Sequence, residues 1–233
     1  MTSLDKKYDT FYAVGQHHAL ADVTLRGWPR GRVEAIMSVP VNGETLLDIG
    51  CGDGSLLYQF RNRFSELIGV EYSASRLDAA RSNLRKCRFR GLQCSAESMP
   101  AIASSSVDCI VSADVIEHIP DVYAAMDEMF RVLKPGGFLV VNTPNIAFAK
   151  KRLRLLLGRF PSTSQPNEGL GSDVLFDGGH LHYFSFRSLA GLMTRSRFVI
   201  ERQVGFGPLG RVHDVWRTLT SVGAQVIARK PKS

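Results

Sequence analysis

The 233 residues predict an α/β fold, a mostly parallel sheet of seven strands with helices on both faces. Two observations predict it. Short apolar, β-branched runs alternate with longer helical patterns, and the first run feeds straight into a glycine-rich turn that opens a helix. The strands are expected at Thr45–Ile49, Leu67–Glu71, Leu92–Ser95, Val107–Ser112, Phe138–Asn142, Phe198–Val204 and Ala224–Ala228. Helices fit around them at Arg32–Ser38, Ser55–Phe64, Ser73–Lys86, Val122–Leu133 and Phe186–Ser196, with Ser185 placed to cap the last. Lys134-Pro135-Gly136-Gly137 should end the helix before it, since proline cannot continue a helix and glycine supplies a turn.

Composition fits one domain over residues 1–233. Hydrophobic residues make up 44% and charged residues 22%, the proportions of an ordinary globular protein. Residues 1–40 read as an N-terminal helical lid. The stretch from about 145 to 185 breaks the alternation and reads as a mobile substrate-side cap, because long insertions in compact domains are usually functional. No run approaches the ~18 apolar residues a membrane span needs, and Met1–Thr10 has no apolar export core, so a cytoplasmic location is expected. Cys51, Cys87, Cys94 and Cys109 match no metal-ligand spacing and are read as free thiols. The net charge of +7 attracts acidic partners in principle, but it is partly local, in the basic segment 150–159 and the tail. Weak peripheral membrane contact through that segment is compatible with it. No aromatic-basic motif points to nucleic acid.

The informative segment is Leu46-Leu47-Asp48-Ile49-Gly50-Cys51-Gly52-Asp53-Gly54-Ser55. Three glycines let the backbone turn sharply and let a ligand lie on it. A dinucleotide turn would space them G-x-G-x-x-G, a phosphate loop would close with Gly-Lys-Ser or Gly-Lys-Thr, and neither is present. Glu71 ends the next strand about twenty residues on, the offset of a ribose-binding acid. Tyr72 beside it can pack on a base, and Cys94-Ser95-Ala96-Glu97-Ser98-Met99-Pro100 follows the third strand.

Taken in order, these residues resemble the class I S-adenosylmethionine methyltransferases of the type 11 group. The likeness runs from about Glu44 to Asn145 and takes in Val107-Asp108-Cys109-Ile110-Val111 and Arg131-Val132-Leu133-Lys134-Pro135-Gly136-Gly137. The resemblance implies a Rossmann-like sheet ordered 3-2-1-4-5-7-6 with the last strand antiparallel, and S-adenosylmethionine lying across the ends of strands one to four, leaving as S-adenosylhomocysteine. It implies that Asp48 and the Gly50–Gly54 turn hold the methionine end, Glu71 the ribose, and Ala96 with Glu97 the adenine. Cys51, Tyr72, Met99 and Ala113 complete the implied donor positions, and Tyr8 and Tyr12 would close over the donor.

Methyl transfer to a hydroxyl needs a group to accept its proton. His118, after the fourth strand, and His180, in Gly178-Gly179-His180-Leu181-His182, are the candidate bases; imidazole takes a proton near neutrality. Two residues apart in an extended stretch, His180 and His182 should face one side. Asp114, Glu117 and His118 resemble the acidic-x-x-Glu-His arrangement of ubiquinone O-methyltransferases, which can hold a divalent cation, yet metal-independent chemistry is expected. The Asn-Pro-Pro-Tyr of planar-amine N-methyltransferases is absent after that strand. The expectation is O-methylation of a small-molecule or carbohydrate-type acceptor. Residues 144–184 also resemble the MetW-like branch, which leaves open a donor-binding accessory role beside a partner enzyme.

Overall fold

The computed structural model describes residues 20–164 and 179–232. Seven strands form one sheet: β1 (Gly43–Ile49), β2 (Phe64–Glu71), β3 (Phe89–Gln93), β4 (Val107–Ala113), β5 (Leu133–Pro144), β6 (Val199–Val204) and β7 (Gly223–Arg229). Their order is β3-β2-β1-β4-β5-β7-β6, with β7 antiparallel to both neighbours and the other pairings parallel, as the resemblance implied. The helices are α1 (Arg32–Met37), α2 (Ser55–Phe60), α3 (Ala74–Asn83), α4 (Val122–Val132), α5 (Ala149–Leu156), α6 (Phe186–Arg195), α7 (Val212–Val215) and α8 (Arg217–Thr220). No helix among the described residues is long and apolar enough to cross a membrane.

The sheet is buried on both faces because successive residues of its central strands point opposite ways. Leu47, Ile49, Ile110, Leu139 and Val141 pack with α4 and α6, through Met126, Met129, Phe186 and Leu189. Leu46, Val111 and Val140 pack on the other face with Ile36 of α1, Leu57 and Phe60 of α2 and Leu77 of α3. Each such side chain is worth about 1.5–3 kcal/mol over leaving it in water. Polar groups fix the ends of the helices. Asp121 caps α4 by accepting from the amides of Tyr123 and Ala124, both at 3.0 Å, and Ser185 caps α6 through a reciprocal box with Ser188.

Local expectations shift in four places. The third strand lies at Phe89–Gln93 rather than Leu92–Ser95, since its partner β2 sets the register through Val70↔Leu92 and the edge strand is only half-buried. The helix opening at Ser55 stops at Phe60, because Phe64 already begins β2. Lys134 to Gly137 is a bulged strand start instead of a free turn: Gly136, at φ 79, donates to the Lys230 carbonyl at 2.8 Å and Gly137 accepts from the Lys230 amide at 3.0 Å. The short helices α7 and α8, between β6 and β7, carry no periodicity long enough to announce them. All four cysteines are free thiols.

Candidate active site

Strands β1 and β4 lie side by side while their onward connections diverge to opposite halves of the sheet. In such sheets the crevice outside the strand ends at that point is where ligands sit. Both sequence-predicted clusters lie at this edge.

On the β1 side, Gly50, Gly52 and Gly54 all have positive φ, at 71°, 54° and 79°. The reason for glycine differs from position to position. A Cβ on Gly50 would lie 2.3 Å from Val115 Cγ2, and one on Gly54 2.8 Å from Leu84 Cδ1, so these two are demanded by packing within the protein. Only at Gly52 is the neighbour the mobile end of a side chain, the Arg76 guanidinium at 2.6 Å. Glu71 locks the turn: its Oε2 accepts the Gly52 amide and its Oε1 the Ser73 amide, both at 2.9 Å. Each oxygen keeps a second lone pair. Asp48 is buried beneath the turn, and burial, reinforced by Glu71, lifts its carboxyl well above the usual range while Arg32 pulls it back. Cys51 is buried in the turn, and Tyr72 lies half-exposed beyond β2.

The residues after β3 divide. Ala96 is buried at the loop. The Glu97 carboxylate is taken up by Ser95 Oγ and the Asp121 amide, both at 2.8 Å, so it braces the loop against the start of α4. Met99 is fully buried in the core, its amide bonded to Glu128, which leaves it no face toward a donor; its role is packing. Ala113 ends β4 half-buried beside the turn. Tyr8 and Tyr12 lie outside the described residues.

On the β4 side, a tight turn at Ile116–His118 follows the strand. Glu117 is 1% exposed; its Oε2 accepts from Thr143 Oγ1 at 2.9 Å and its Oε1 has no hydrogen-bond partner among the described residues. Burial, reinforced by Asp114, pushes this carboxyl up to about 8. His118 Nδ1 lies 3.2 Å from the Gly179 carbonyl, which fixes Nδ1 as the donor and leaves Nε2 as acceptor. Burial and the adjacent His180 push His118 down to about 4, so it is neutral at pH 7 rather than titrating there.

The segment from Gly179 to Phe184 meets this turn directly. The amides of Leu181 and His182 both donate to the Glu117 carbonyl, at 2.8 and 3.1 Å, and the rings of His118 and His180 meet edge to face at 4.6 Å. His180 Nδ1 lies 2.6 Å from Thr163 Oγ1, whereas His182 Nε2 reaches the Ile119 carbonyl at 2.9 Å. His180 and His182 therefore have separate partners, and the histidine beside His180 is His118. Asp114, at φ 53, is ion-paired with Arg32. Among the described residues, the groups close enough to hold a cation are Glu117, His118 and His180, whose ligand atoms lie within 4.8 Å of one another, and not the set that includes Asp114. Thr143, Thr163 and Arg32 were invisible as site residues in the sequence, since only the fold brings them here.

Opposed protonation makes the pair testable. Glu117 binds its proton more tightly when folded (about 8 against 4.5), so its share of stability is present at low pH and is lost as pH rises toward 8. His118 binds its proton less tightly when folded (about 4 against 6.5), so its share is lost as pH falls from 6.5 to 4. The two offset each other between 4.5 and 6.5, and above 6.5 only Glu117 of the pair still changes stability. The melting temperature is expected to fall between pH 6.5 and 8, and Glu117→Gln to flatten that fall; a parent-like slope in the variant would remove Glu117 as its cause.

Residues 47–141 match the methyltransferase-domain family. That stretch is a methyltransferase domain. A ubiquinone biosynthesis O-methyltransferase of Psychrobacter cryohalolentis is 29% identical over 125 residues, 52% of this chain and 48% of that protein. One from Bradyrhizobium sp. is 36% identical over 107 residues, 45% of this chain and 42% of that protein. The chain thus spans less than half the length of these curated relatives. Among solved structures, a geranyl diphosphate C-methyltransferase of Streptomyces coelicolor in complex with Mg2+, geranyl diphosphate and S-adenosyl-L-homocysteine shares the fold, with TM-score 0.65, 16% identity and coverage of 98% and 99% of the two chains.

Proposed function

We propose that the protein transfers a methyl group from S-adenosylmethionine to a hydroxyl of a small-molecule or carbohydrate-type acceptor. One observation carries the reading: the Glu71-locked glycine turn and the His118–His180 pair share one edge of the sheet, at adjoining strand ends. The relatives named as ubiquinone biosynthesis O-methyltransferases are compatible with a hydroxyl acceptor.

When bound, the donor supplies an electrophilic methyl group. Asp48 and the Gly50–Gly54 turn hold its methionine end, and Glu71 uses the lone pairs not spent on Gly52 and Ser73 to accept from the ribose hydroxyls. Ala96, Tyr72 and the backbone at Glu97 border the adenine, and Ala113 lines the way from β4. Across the crevice, Nε2 of His118 or a nitrogen of His180 takes the acceptor's proton. Their close packing in the buried turn excludes water from that step. Residues 1–40 serve as a lid and 145–185 as the acceptor-side cap of one domain.

Glu71→Ala is expected to weaken S-adenosylmethionine by roughly 1.5–3 kcal/mol, the scale for hydrogen bonds to a charged group. Glu71→Gln, which keeps one acceptor oxygen, should lose less. Calorimetry giving all three proteins one affinity would remove the ribose role. Release of S-adenosylhomocysteine in a metabolite pool with labelled donor separates an enzyme from an accessory donor-binding protein.

A further inference from the structure

An amphipathic helix in a globular protein ordinarily turns its apolar stripe to the core. Helix α5 does the opposite. Leu153, Leu156, Leu157 and Phe160 recur at helical spacing, yet they are 56%, 83%, 62% and 47% exposed, and no residue of the helix is buried. The orientation is fixed by other bonds: Arg152 Nε donates to the Ala147 carbonyl at 2.7 Å, and the Lys151 ammonium donates to the Ser162 carbonyl. Asn145, just before the helix, donates through Nδ2 to the carbonyls of Thr218 and Ser221 at 3.0 and 2.9 Å, which sets α8 beside it. There Val215 and Trp216 are 77% and 67% exposed, extending the apolar surface.

Charge says what such a surface meets. Lys150, Lys151, Arg152, Arg154 and Arg159 flank the stripe, and residues 145–164 contain no acidic side chain. A second copy would set these cations against their own kind, whereas anionic headgroups complement them. Leu155, on the opposite side, is exposed as well, at 64%, and a short helix whose exposed leucines are flanked by cations lies in the plane of a membrane interface. We propose that α5, with the exposed side chains of α7 and α8, docks the protein on an anionic phospholipid bilayer. The docking stands independently of the methyl-transfer reading, but it meets the candidate site: Phe160 packs edge to face on Tyr183 at 5.8 Å, in the strand of chain that carries His180 and His182. An acceptor held in the bilayer would reach the site along that edge.

The test is flotation of the full chain with vesicles of phosphatidylcholine alone and of phosphatidylcholine mixed with phosphatidylglycerol. The parent is expected to float with the mixed vesicles only, and to lose binding in high salt. Lys150→Gln and Arg154→Gln should each lower the partition about five-fold. The double variant Leu156→Glu with Leu157→Glu should abolish it while melting like the parent, because both side chains lie in solvent. Equal binding to both vesicle types, or unchanged binding by the leucine variant, would overturn the proposal. So would absence of vesicle binding alongside a dimer, seen by light scattering, that the leucine variant dissolves.

Discussion

Replacing His118 or His180 by alanine is expected to slow single-turnover methyl transfer to a hydroxyl acceptor by roughly 10²- to 10⁴-fold, the range for losing a general base, at unchanged donor affinity. The two losses should not add. Their rings touch at 4.6 Å, so removing either changes the other's surroundings, and residues acting as a unit are strongly non-additive. His118 also bonds to the Gly179 carbonyl, so an alanine there confounds base chemistry with positioning. His118→Gln separates them, since its amide can still donate to that carbonyl but takes no proton. A glutamine variant near the parent rate makes His118 a positioning residue and leaves His180 as the base; a glutamine variant as slow as alanine makes His118 the base. The pH profile gives a second reading. With His118 held down at about 4, its acid limb should lie near pH 4 rather than in the ordinary histidine range. Parent-like rates in both alanine variants would mean that neither histidine takes the proton.

The difference between what the sequence revealed and what it hid has a physical pattern. β1, β4 and β5 were legible because strands buried on both faces are continuous apolar runs, and the turn after β1 was legible because positive φ at three alternate positions requires three glycines. β3 was displaced because an edge strand such as Phe89–Gln93 is mostly half-exposed and carries little apolar signal. His118 and His180 were each legible, but as rivals. Their contact spans 62 positions of sequence and depends on the Leu181 and His182 amides finding the Glu117 carbonyl, which no local pattern encodes. The same holds for Glu97: its place after β3 suggested a donor contact, and only the fold shows its carboxylate bracing the start of α4. Residues 165–178 and the N-terminal tyrosines lie outside the described residues.

Gly50→Ala is expected to destabilise the fold by roughly 2–5 kcal/mol, which combines the cost of a side chain in left-handed backbone with that of overpacking. The first part follows from φ 71, a conformation an alanine adopts only under strain. The second follows from the position its Cβ would take, 2.3 Å from one methyl of Val115 and 3.0 Å from the other. Val115 cannot yield cheaply, because it packs against the core cluster under α4 and leads into the turn that carries Glu117 and His118. For a chain of this size the melting temperature should fall by roughly 5–15 °C. Two companions divide the loss. Gly158→Ala shares a positive φ of 69 but has nothing within 4 Å among the described residues, so it should show the conformational part alone, about 1–2 kcal/mol. Val115→Ala in the Gly50→Ala background removes the colliding methyls and should recover much of the overpacking, a coupling that a double-mutant cycle reads directly. The donor turn should suffer along with stability, because any shift of Gly50 moves the Gly52 amide off Glu71, so residual folded Gly50→Ala should bind S-adenosylmethionine more weakly than the parent. If Gly50→Ala melts no lower than Gly158→Ala, the Val115 contact does not demand glycine there, and the role of this position passes wholly to the ligand.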